Sequence, residues 1–254
     1  MILDKFSLEG KTALVTGASR GLGQRIAIAL AQAGADVACH SREEGGAAEA
    51  INAITALGRK AVSVVGDMAE TEVPSRVAAE ALAELGKIDI LVNNAGMIRR
   101  SPAVDYSEED WSTVVQVNLS SVFRLSQAVG RHMVERGSGK IVNIASLLSF
   151  QGGITVPAYT ASKSGVAGLT KALANEWAKY NVNVNAIAPG YMETDNTSAL
   201  RADETRNRQI MERIPAGRWG DADDLSGAVV FLSSAASDYV QGHVMVVDGG
   251  WMAR

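Results

Sequence analysis

The chain has 254 residues, 47% of them hydrophobic, and a formal net charge of −4. This length and apolar content suffice for a sizeable core without disulfides or structural metals. The acidic balance argues against nucleic-acid binding, and short basic clusters such as Arg206 with Arg208 are interpreted as solvated faces. No apolar run reaches the 18 residues that indicate a membrane span. The single cysteine, Cys39, has no partner for an internal disulfide, so a cytoplasmic protein is expected.

Short β-branched or apolar runs alternate with longer helical stretches along the chain. The predicted strands are Thr12–Thr16, Asp36–Cys39, Ala61–Val65, Ile90–Asn93, Lys140–Ala145, Asn183–Ile187 and His243–Val247. The main predicted helices are Gly21–Ala33, Gly46–Leu57, Ser107–Met133, Tyr159–Tyr180 and Asp221–Ser233. This alternation predicts an α/β fold of the Rossmann type, a doubly wound parallel sheet with helices on both faces. We expect a single domain over residues 1–254, with a substrate lid within the polar, Arg-rich segment 191–218.

A glycine-rich loop follows the first predicted strand and opens the first predicted helix. Residues 16–23 read Thr-Gly-Ala-Ser-Arg-Gly-Leu-Gly. Glycines let the backbone approach a pyrophosphate, and the helix N-terminus offers unpaired N–H groups and a positive dipole end. A plain tight turn would also use glycines, but the strand–loop–helix setting favours nucleotide binding.

Tyr159 and Lys163 stand four residues apart on a predicted helix and should therefore share one face. A Tyr ordinarily ionises near pH 10, and a fixed cation within roughly 4–6 Å lowers its pKa. A hydroxyl from Ser146 could then hold a substrate oxygen beside the phenol while a proton is given or taken. The spacing alone is equally compatible with an ordinary pair on a helix surface.

Taken together, the motifs resemble the classical short-chain dehydrogenase/reductase family nearly from end to end. In chain order they are the glycine loop 16–23, Asp67, 93–96 (Asn-Asn-Ala-Gly), Asn118, Ser146, Tyr159 with Lys163, 189–190 (Pro-Gly) and 247–250 (Val-Asp-Gly-Gly). The resemblance implies an NAD(P)-dependent oxidoreductase that acts on CH–OH groups. It also implies a homotetramer, with interfaces formed by the two long predicted helices and by the C-terminal strand.

The resemblance further implies a role for each site residue. Tyr159 would be the general acid or base, and Ser146 would orient the substrate oxygen. Lys163 would hold the nicotinamide ribose and lower the pKa of Tyr159, while Asn118 would keep a relay water in line. Without the resemblance, Asn118 and Ser146 would be interpreted as a core amide and a strand-end hydroxyl. The implied cofactor contacts are Gly17, Ser19, Arg20, Gly21, Leu22, Gly23, Ser41, Arg42, Asp67, Met68, Asn94, Ala95, Gly96, Tyr159, Lys163, Pro189, Gly190, Met192 and Thr194.

The end of the second strand decides between NAD and NADP. An acidic residue there binds the ribose 2′-hydroxyl, whereas Arg accommodates a 2′-phosphate. The run His40-Ser41-Arg42 has no acid, and Arg20 lies in the glycine loop, so the residues favour NADP. In the other interpretation both Arg side chains face solvent, with Glu43 close enough to neutralise Arg42. A subfamily resemblance favours NAD, so both cofactors stay open.

That subfamily is the branch that acts on small sugar acids of the deoxygluconate type. The stretches that resemble it are 97–100, 144–153, 188–191, 214–220 and 248–254. Such a substrate carries a carboxylate, which requires a cation or backbone donors. The candidate substrate contacts are Arg99, Arg100 and Gln151, together with Ser146 and Tyr159. Salt bridges at the rim or an oligomer interface would explain the two arginines equally well.

Two other functions share part of this pattern. A 3-oxoacyl-thioester reductase has every catalytic motif, but it needs a pocket open to a long carrier arm and a basic docking surface. A non-catalytic dinucleotide-binding scaffold would be expected to lack Tyr159, Lys163 or Ser146, and all three are present. The three histidines have no metal-ligand spacing, so they are interpreted as structural or surface residues and no metal is predicted.

Overall fold

Seven strands form one all-parallel sheet in the order β3-β2-β1-β4-β5-β6-β7. The computed structural model describes all 254 residues apart from the side chain of Asn196. The strands are β1 (Thr12–Val15), β2 (Asp36–Ser41), β3 (Ala61–Val65), β4 (Ile90–Asn93), β5 (Gly139–Ile144), β6 (Val182–Pro189) and β7 (Val244–Val247). Each predicted strand is present, with ends within two residues of those expected. The predicted Rossmann-type fold is therefore confirmed.

The helices connect successive strands. They are α1 (Gly21–Gln32), α2 (Ala48–Ala56), α3 (Val73–Leu85), α4 (Glu108–Val115), α5 (Ser121–Arg136), α6 (Pro157–Trp177), α7 (Ser198–Ala202), α8 (Glu204–Arg213) and α9 (Ser226–Ser233). The sequence predicted one continuous helix over Ser107–Met133, but a π-helical segment at Gln116–Ser120 separates α4 from α5. The helical spacing of apolar residues continues on both sides of this segment, so the sequence pattern does not reveal the π turn. Among the described residues, no helix is both long and apolar enough to cross a bilayer.

The two faces of the sheet carry separate apolar cores. Strand β1 shows why, because its side chains alternate between the faces. Ala13 and Val15 pack with Leu30 of α1 and Val229 of α9. Leu14 points the other way, into a cluster supplied by α3, α5 and α6. Both faces are covered, as a parallel sheet requires.

The strand order reverses at β1, which lies between β2 and β4. Val15 of β1 is in register with Val92 of β4, and the Thr16 amide donates to the Val92 carbonyl. In open α/β sheets, ligands bind in the crevice beyond the carboxyl ends of the strands at such a reversal. The loops that follow β1 and β4 therefore meet at the expected binding crevice.

The segment 191–218 leaves the sheet after β6 and carries α7 and α8. At its base, Met192 forms an isolated bridge with Gly220. Ile210 of α8 is buried in a small apolar cluster with Trp219 and Trp251. The same cluster contains Leu147, which follows β5, so α8 packs near the carboxyl edge of the sheet.

Candidate active site

The glycine loop turns sharply between β1 and α1. Gly17 has φ of +66°, a left-handed conformation that favours glycine. At Gly23 a Cβ would lie 2.1 Å from the Gly17 carbonyl oxygen and 2.3 Å from Asn94 Nδ2. Arg20, at the N-cap of α1, makes no side-chain capping bond, so the first N–H groups of the helix stay available to an anion. The loop fits the pyrophosphate of an NAD(P) dinucleotide.

Hydrogen bonds tie the glycine loop to the segment after β4. Thr16 Oγ1 accepts from the backbone amides of Asn94 at 2.9 Å and Ala95 at 3.0 Å. Asn94 Nδ2 donates to the carbonyls of Thr16 at 2.9 Å and Gly17 at 3.2 Å. The Asn94 side chain thus shapes the loop, and direct contact of Asn94 and Ala95 with the cofactor stays a prediction.

His40 joins this framework, although sequence reasoning interpreted it only as structural or surface. Its ring is buried at the end of β2. Nδ1 accepts from the Gly17 amide at 3.2 Å, and Nε2 lies 2.9 Å from the Gly66 carbonyl. An amide can only donate and a carbonyl only accept, so the neutral tautomer protonated at Nε2 is required. Burial, the largest cause, lowers the pKa of His40 and so favours this neutral form.

The two arginines expected at a 2′-phosphate have protein partners. Arg42 Nη2 lies 2.8 Å from Glu43 Oε1, and Arg20 Nε lies 3.1 Å from Asp195 Oδ2. All four side chains are largely exposed, and exposed pairs are worth only about 0–1 kcal/mol. The buried Ser41 hydroxyl donates to the Glu43 carbonyl. Both guanidiniums could therefore exchange partners at small cost, and their contact with a cofactor stays a prediction.

The other predicted cofactor contacts lie along the carboxyl edge of the sheet. Thr194 lies close to the glycine loop, because a Cβ added at Gly21 would lie 3.8 Å from Thr194 Cγ2. Asp67 Oδ1 accepts from the Ala69 amide, and the Met68 carbonyl accepts from Gln116. The remaining ones are Ser19 and Leu22 in the loop, Gly96 after β4, Pro189 and Gly190 at the end of β6, and Met192 beyond it. Contact of these positions with a cofactor stays a prediction.

Tyr159 and Lys163 occupy successive turns of α6. Lys163 Nζ lies 5.7 Å from the centroid of the Tyr159 ring. The ammonium is buried and donates to the Ile144 carbonyl at 2.6 Å. Burial lowers the pKa of Lys163 to about 8. The shared helix face predicted from the spacing is present, and a β5 carbonyl fixes the amine there.

The pKa of Tyr159 moves opposite to the direction expected from the sequence. Burial, the largest cause, raises it, while the hydrogen bond with Ser146 and the positive charge of Arg100 lower it. The four-residue spacing predicted instead that Lys163 would lower this pKa. In the structure the pKa of Lys163 is itself lowered, and its ammonium donates to the Ile144 carbonyl. The loss of hydration at the phenol is therefore the largest effect on the pKa of Tyr159.

Asn118 lies in the π-helical segment and is fully buried. Its Oδ1 accepts from the Met97 amide at 2.8 Å, and its Nδ2 donates to the Met97 carbonyl at 2.9 Å. A Cβ at Gly96 would lie 3.4 Å from Asn118 Oδ1 and 3.7 Å from Lys163 Nζ. Asn118 and Lys163 therefore flank the same glycine. π turns recur at functional sites, and the relay role of Asn118 stays a prediction.

A cavity of about 750 Å³ opens beside these groups. Ser146 and Tyr159 lie in its wall together with Pro189 and Gly190. The cavity therefore joins the two hydroxyls to the end of β6, where Pro189 and Gly190 are predicted cofactor contacts. Its size suits a small-molecule ligand.

The charged residues of the cavity wall are all basic. Within the described part of the chain they are Arg100, Arg206 and Arg213. Gln151, a predicted substrate contact, also lies in the wall, as does Arg100. Arg99 does not, because its guanidinium turns towards Asp110 at 3.4 Å. Arg206 was interpreted from the sequence as part of a solvated cluster and Arg213 was not singled out. Their only sequence signal was the Arg-rich character of segment 191–218.

These features define a dinucleotide crevice that leads into a cavity containing a serine and a tyrosine hydroxyl. The profile of the short chain dehydrogenase family matches residues 11–205, and the chain belongs to this family. It is therefore an NAD(P)-dependent oxidoreductase acting on CH–OH groups, as the sequence motifs implied. Among the described residues, no group of three or more His, Cys, Asp or Glu side chains could hold a metal ion.

Full-length relatives narrow the comparison. The chain is 57% identical over 255 residues to 2-dehydro-3-deoxy-D-gluconate 5-dehydrogenase of Escherichia coli (strain K12), covering 100% of both chains. It is 59% identical over 251 residues to the Bacillus subtilis (strain 168) enzyme of the same name, covering 99% of this chain and 98% of the relative. A solved structure from Agrobacterium tumefaciens, provisionally named 2-deoxy-D-gluconate 3-dehydrogenase and containing NADP, matches with TM-score 0.92 and 55% identity. It covers 99% of this chain and 100% of that one. The resemblance to the sugar-acid branch is confirmed.

Proposed function

We propose that the chain interconverts an alcohol and a ketone on a small sugar acid, with 2-dehydro-3-deoxy-D-gluconate oxidised at C5 as the leading substrate. The observation that carries this proposal is a cavity that joins Ser146 and Tyr159 to a wall whose charged residues are all arginines. The full-length similarity to dehydrogenases named for this substrate supports it.

We infer that Tyr159 transfers the proton. In ketone reduction its hydroxyl donates to the carbonyl oxygen, and Ser146 holds that oxygen by a second hydrogen bond. The nicotinamide supplies or accepts the hydride. Because burial raises the pKa of Tyr159, the phenol is protonated at neutral pH and suited to act as an acid. Alcohol oxidation requires the phenolate and should therefore be favoured at higher pH.

Lys163 and Asn118 support this centre. We infer that Lys163, anchored to the Ile144 carbonyl, holds the ribose hydroxyls of the cofactor. Asn118 bonds both the amide and the carbonyl of Met97 and so fixes the backbone next to Gly96. Its relay role would return a proton to Tyr159 by way of Lys163 and ordered water.

NADP is the proposed cofactor in preference to NAD. The end of β2 carries Ser41 and Arg42 and no acid, and Arg20 lies in the glycine loop. A 2′-phosphate could draw either guanidinium from its weak surface pair. The A. tumefaciens relative contains NADP, which supports the same choice.

We further propose that residues 1–254 form one domain in which segment 191–218 closes over the substrate. Leu200 and Ile210 of this segment lie in the cavity wall. Trp219 Nε1 donates to Asn207 Oδ1 at 2.8 Å, which secures α8 to the base of the segment. Faster limited proteolysis within 191–218 in the absence of ligands would support this lid, and equal rates would contradict it.

A cytoplasmic homotetramer is the proposed state. Trp111 of α4 and Phe123 of α5 are 39% and 42% exposed, which is unusual for large apolar side chains and suits an interface along these helices. The thiol of Cys39 is buried and its pKa is raised to about 12, so it is unreactive. A monomer in light scattering would contradict the tetramer.

The proposed activity is tested by following reduced-nicotinamide absorbance with the 2,5-dioxo-3-deoxy sugar acid, with NADPH and NADH in parallel. Faster oxidation of NADPH supports both the substrate and the cofactor. Faster oxidation of NADH would refute the cofactor choice. No oxidation of either, with an acetoacetyl thioester reduced instead, would replace the proposal with a 3-oxoacyl-thioester reductase.

A further inference from the structure

The far wall of the cavity carries two arginines from α8. Arg206 lies in the first turn of this helix and Arg213 is its last residue, and both line the cavity. Burial, the largest cause, raises the pKa of Tyr191, and the positive charges of Arg206 and Arg213 oppose this rise. Arg100, in contrast, acts on the pKa of Tyr159. The cavity therefore has one cation near the reacting phenol and two near Tyr191.

Arg213 is held in place by an aromatic ring. Its guanidinium carbon lies 3.9 Å from the centroid of a Trp251 ring. Trp251 is buried, packs against Tyr191 with ring centroids 4.6 Å apart, and directs its indole N–H towards Gln151 Oε1 at 3.4 Å. Stacking on an aromatic face leaves the edge donors of a guanidinium free to bind an anion.

Neither Arg206 nor Arg213 is neutralised by a neighbouring acid. Among the described residues, no carboxylate lies within salt-bridge distance of Arg206 or Arg213. Arg206 donates to the neutral amide of Gln209 at 3.2 Å, another residue of the cavity wall. Two uncompensated cations on one wall favour an anionic group of the ligand at that position.

We propose that Arg206 and Arg213 form the carboxylate-binding subsite for the substrate, and that Trp251 is the positioning residue for Arg213. This inference rests on the proposed sugar-acid function. Four carbon–carbon bonds separate a reacting C5 from a C1 carboxylate, which is about 5 Å in an extended chain. The carboxylate therefore belongs away from Tyr159, at the end where α8 supplies its arginines. Arg100, nearer the phenol, contacts the reacting part of the molecule.

The test compares the sugar acid with its primary amide, which has the same shape without the charge. We expect Arg206→Gln and Arg213→Gln each to lower kcat/KM for the acid by about 10- to 100-fold, mainly through KM, because each removes a charge-assisted hydrogen bond. The amide should change by less than about threefold, since neutral substrates gain little from the charge. Arg208→Gln is the matched control, because Arg208 is on the same helix but outside the cavity wall.

Trp251 is tested by a double-mutant cycle. Trp251→Phe keeps an aromatic face and should retain most of the preference for the acid over the amide. Trp251→Leu should weaken that preference as much as Arg213→Gln does, and combining the two should add little because they remove one unit. Unchanged NADPH affinity, measured by fluorescence, shows that the variants are folded.

Equal losses on acid and amide in the Arg206 and Arg213 variants would overturn the inference. So would wild-type protein that turns over both compounds equally well. If the wild type turns over no sugar acid at all, the proposed function fails. If the wild type is active on the acid and both arginine variants have the same kcat/KM for it, only the carboxylate subsite is refuted and the proposed function stands.

Discussion

Gly23→Ala should damage the cofactor crevice through one added methyl group. The new Cβ would lie 2.1 Å from the Gly17 carbonyl oxygen and 2.3 Å from Asn94 Nδ2. The first of these is a backbone atom, so the loop itself must move. Overpacking typically costs about 1–3 kcal/mol, and contacts this short place the expected loss of stability near 3 kcal/mol. For a chain of this size that corresponds to a fall in Tm of roughly 6–12 °C.

The same displacement should weaken cofactor binding. Moving the loop misplaces the N–H groups at the start of α1, and losing one charge-assisted hydrogen bond corresponds to about a 10- to 150-fold rise in the Kd for NADPH. Calorimetry measures the first effect and nicotinamide fluorescence the second. Gly227→Ala is the control. Gly227 lies near the N-terminus of α9 with open space around its Cβ direction, so alanine should stabilise the protein by about 0.5–1 kcal/mol.

A Gly23→Ala protein that unfolds within a degree of the wild type and binds NADPH with unchanged affinity would contradict this prediction. Equal losses of stability in the two glycine variants would contradict it as well, because the loss would then come from the substitution itself and not from the contacts at residue 23.

Three further predictions concern titration and proton transfer. Tyr159→Phe should lower kcat by about 10²- to 10⁴-fold with NADPH affinity nearly unchanged, and turnover within tenfold of wild type would contradict the proposed acid. Carbon NMR of labelled lysines should show one ε-carbon that titrates near pH 8 and is missing in Lys163→Met. Because the pKa of Lys163 falls from 10.5 to about 8 on folding, the unfolded chain binds more protons between these values, and stability should rise with pH across that window. The pKa of His40 is also lowered, from 6.5. The stability that the neutral His40 ring contributes is therefore fully present above pH 6.5 and is lost as the pH falls below that value. His40→Gln keeps a donor and an acceptor without titrating and should flatten this acid loss in urea titrations, whereas an unchanged slope would exclude His40 as its source.

The sheet could be predicted almost completely from the sequence. Buried parallel strands are short β-branched runs bounded by polar residues, and such runs are visible in β1, β3 and β4. The π-helical segment at Gln116–Ser120 could not be predicted, because one extra residue in a turn leaves the apolar pattern nearly unchanged. Its position depends on how α4 and α5 each pack.

Two local arrangements of the candidate site could be predicted from the sequence. They are the shared helix face of Tyr159 and Lys163 and the glycine loop between β1 and α1. The environment of each side chain could not be predicted from the spacing. The pKa of Tyr159 is raised because folding removes water from the phenol, which no local pattern reports. The place of Arg213 in the cavity wall could not be predicted either. It depends on Trp251, a residue of the C-terminal segment that folding brings against the guanidinium.

The bond between Thr16 and Asn94 also has a consequence for the folding pathway. Its partners are 78 positions apart, and β1 stays without its neighbour on this side until β4 has been placed. Contacts so distant in sequence form late, after local helices and the β1–β2 pair. A refolding chain should therefore recover helical circular dichroism before it recovers affinity for NADPH, and a nascent chain should not bind the cofactor until β4 has been synthesised and paired.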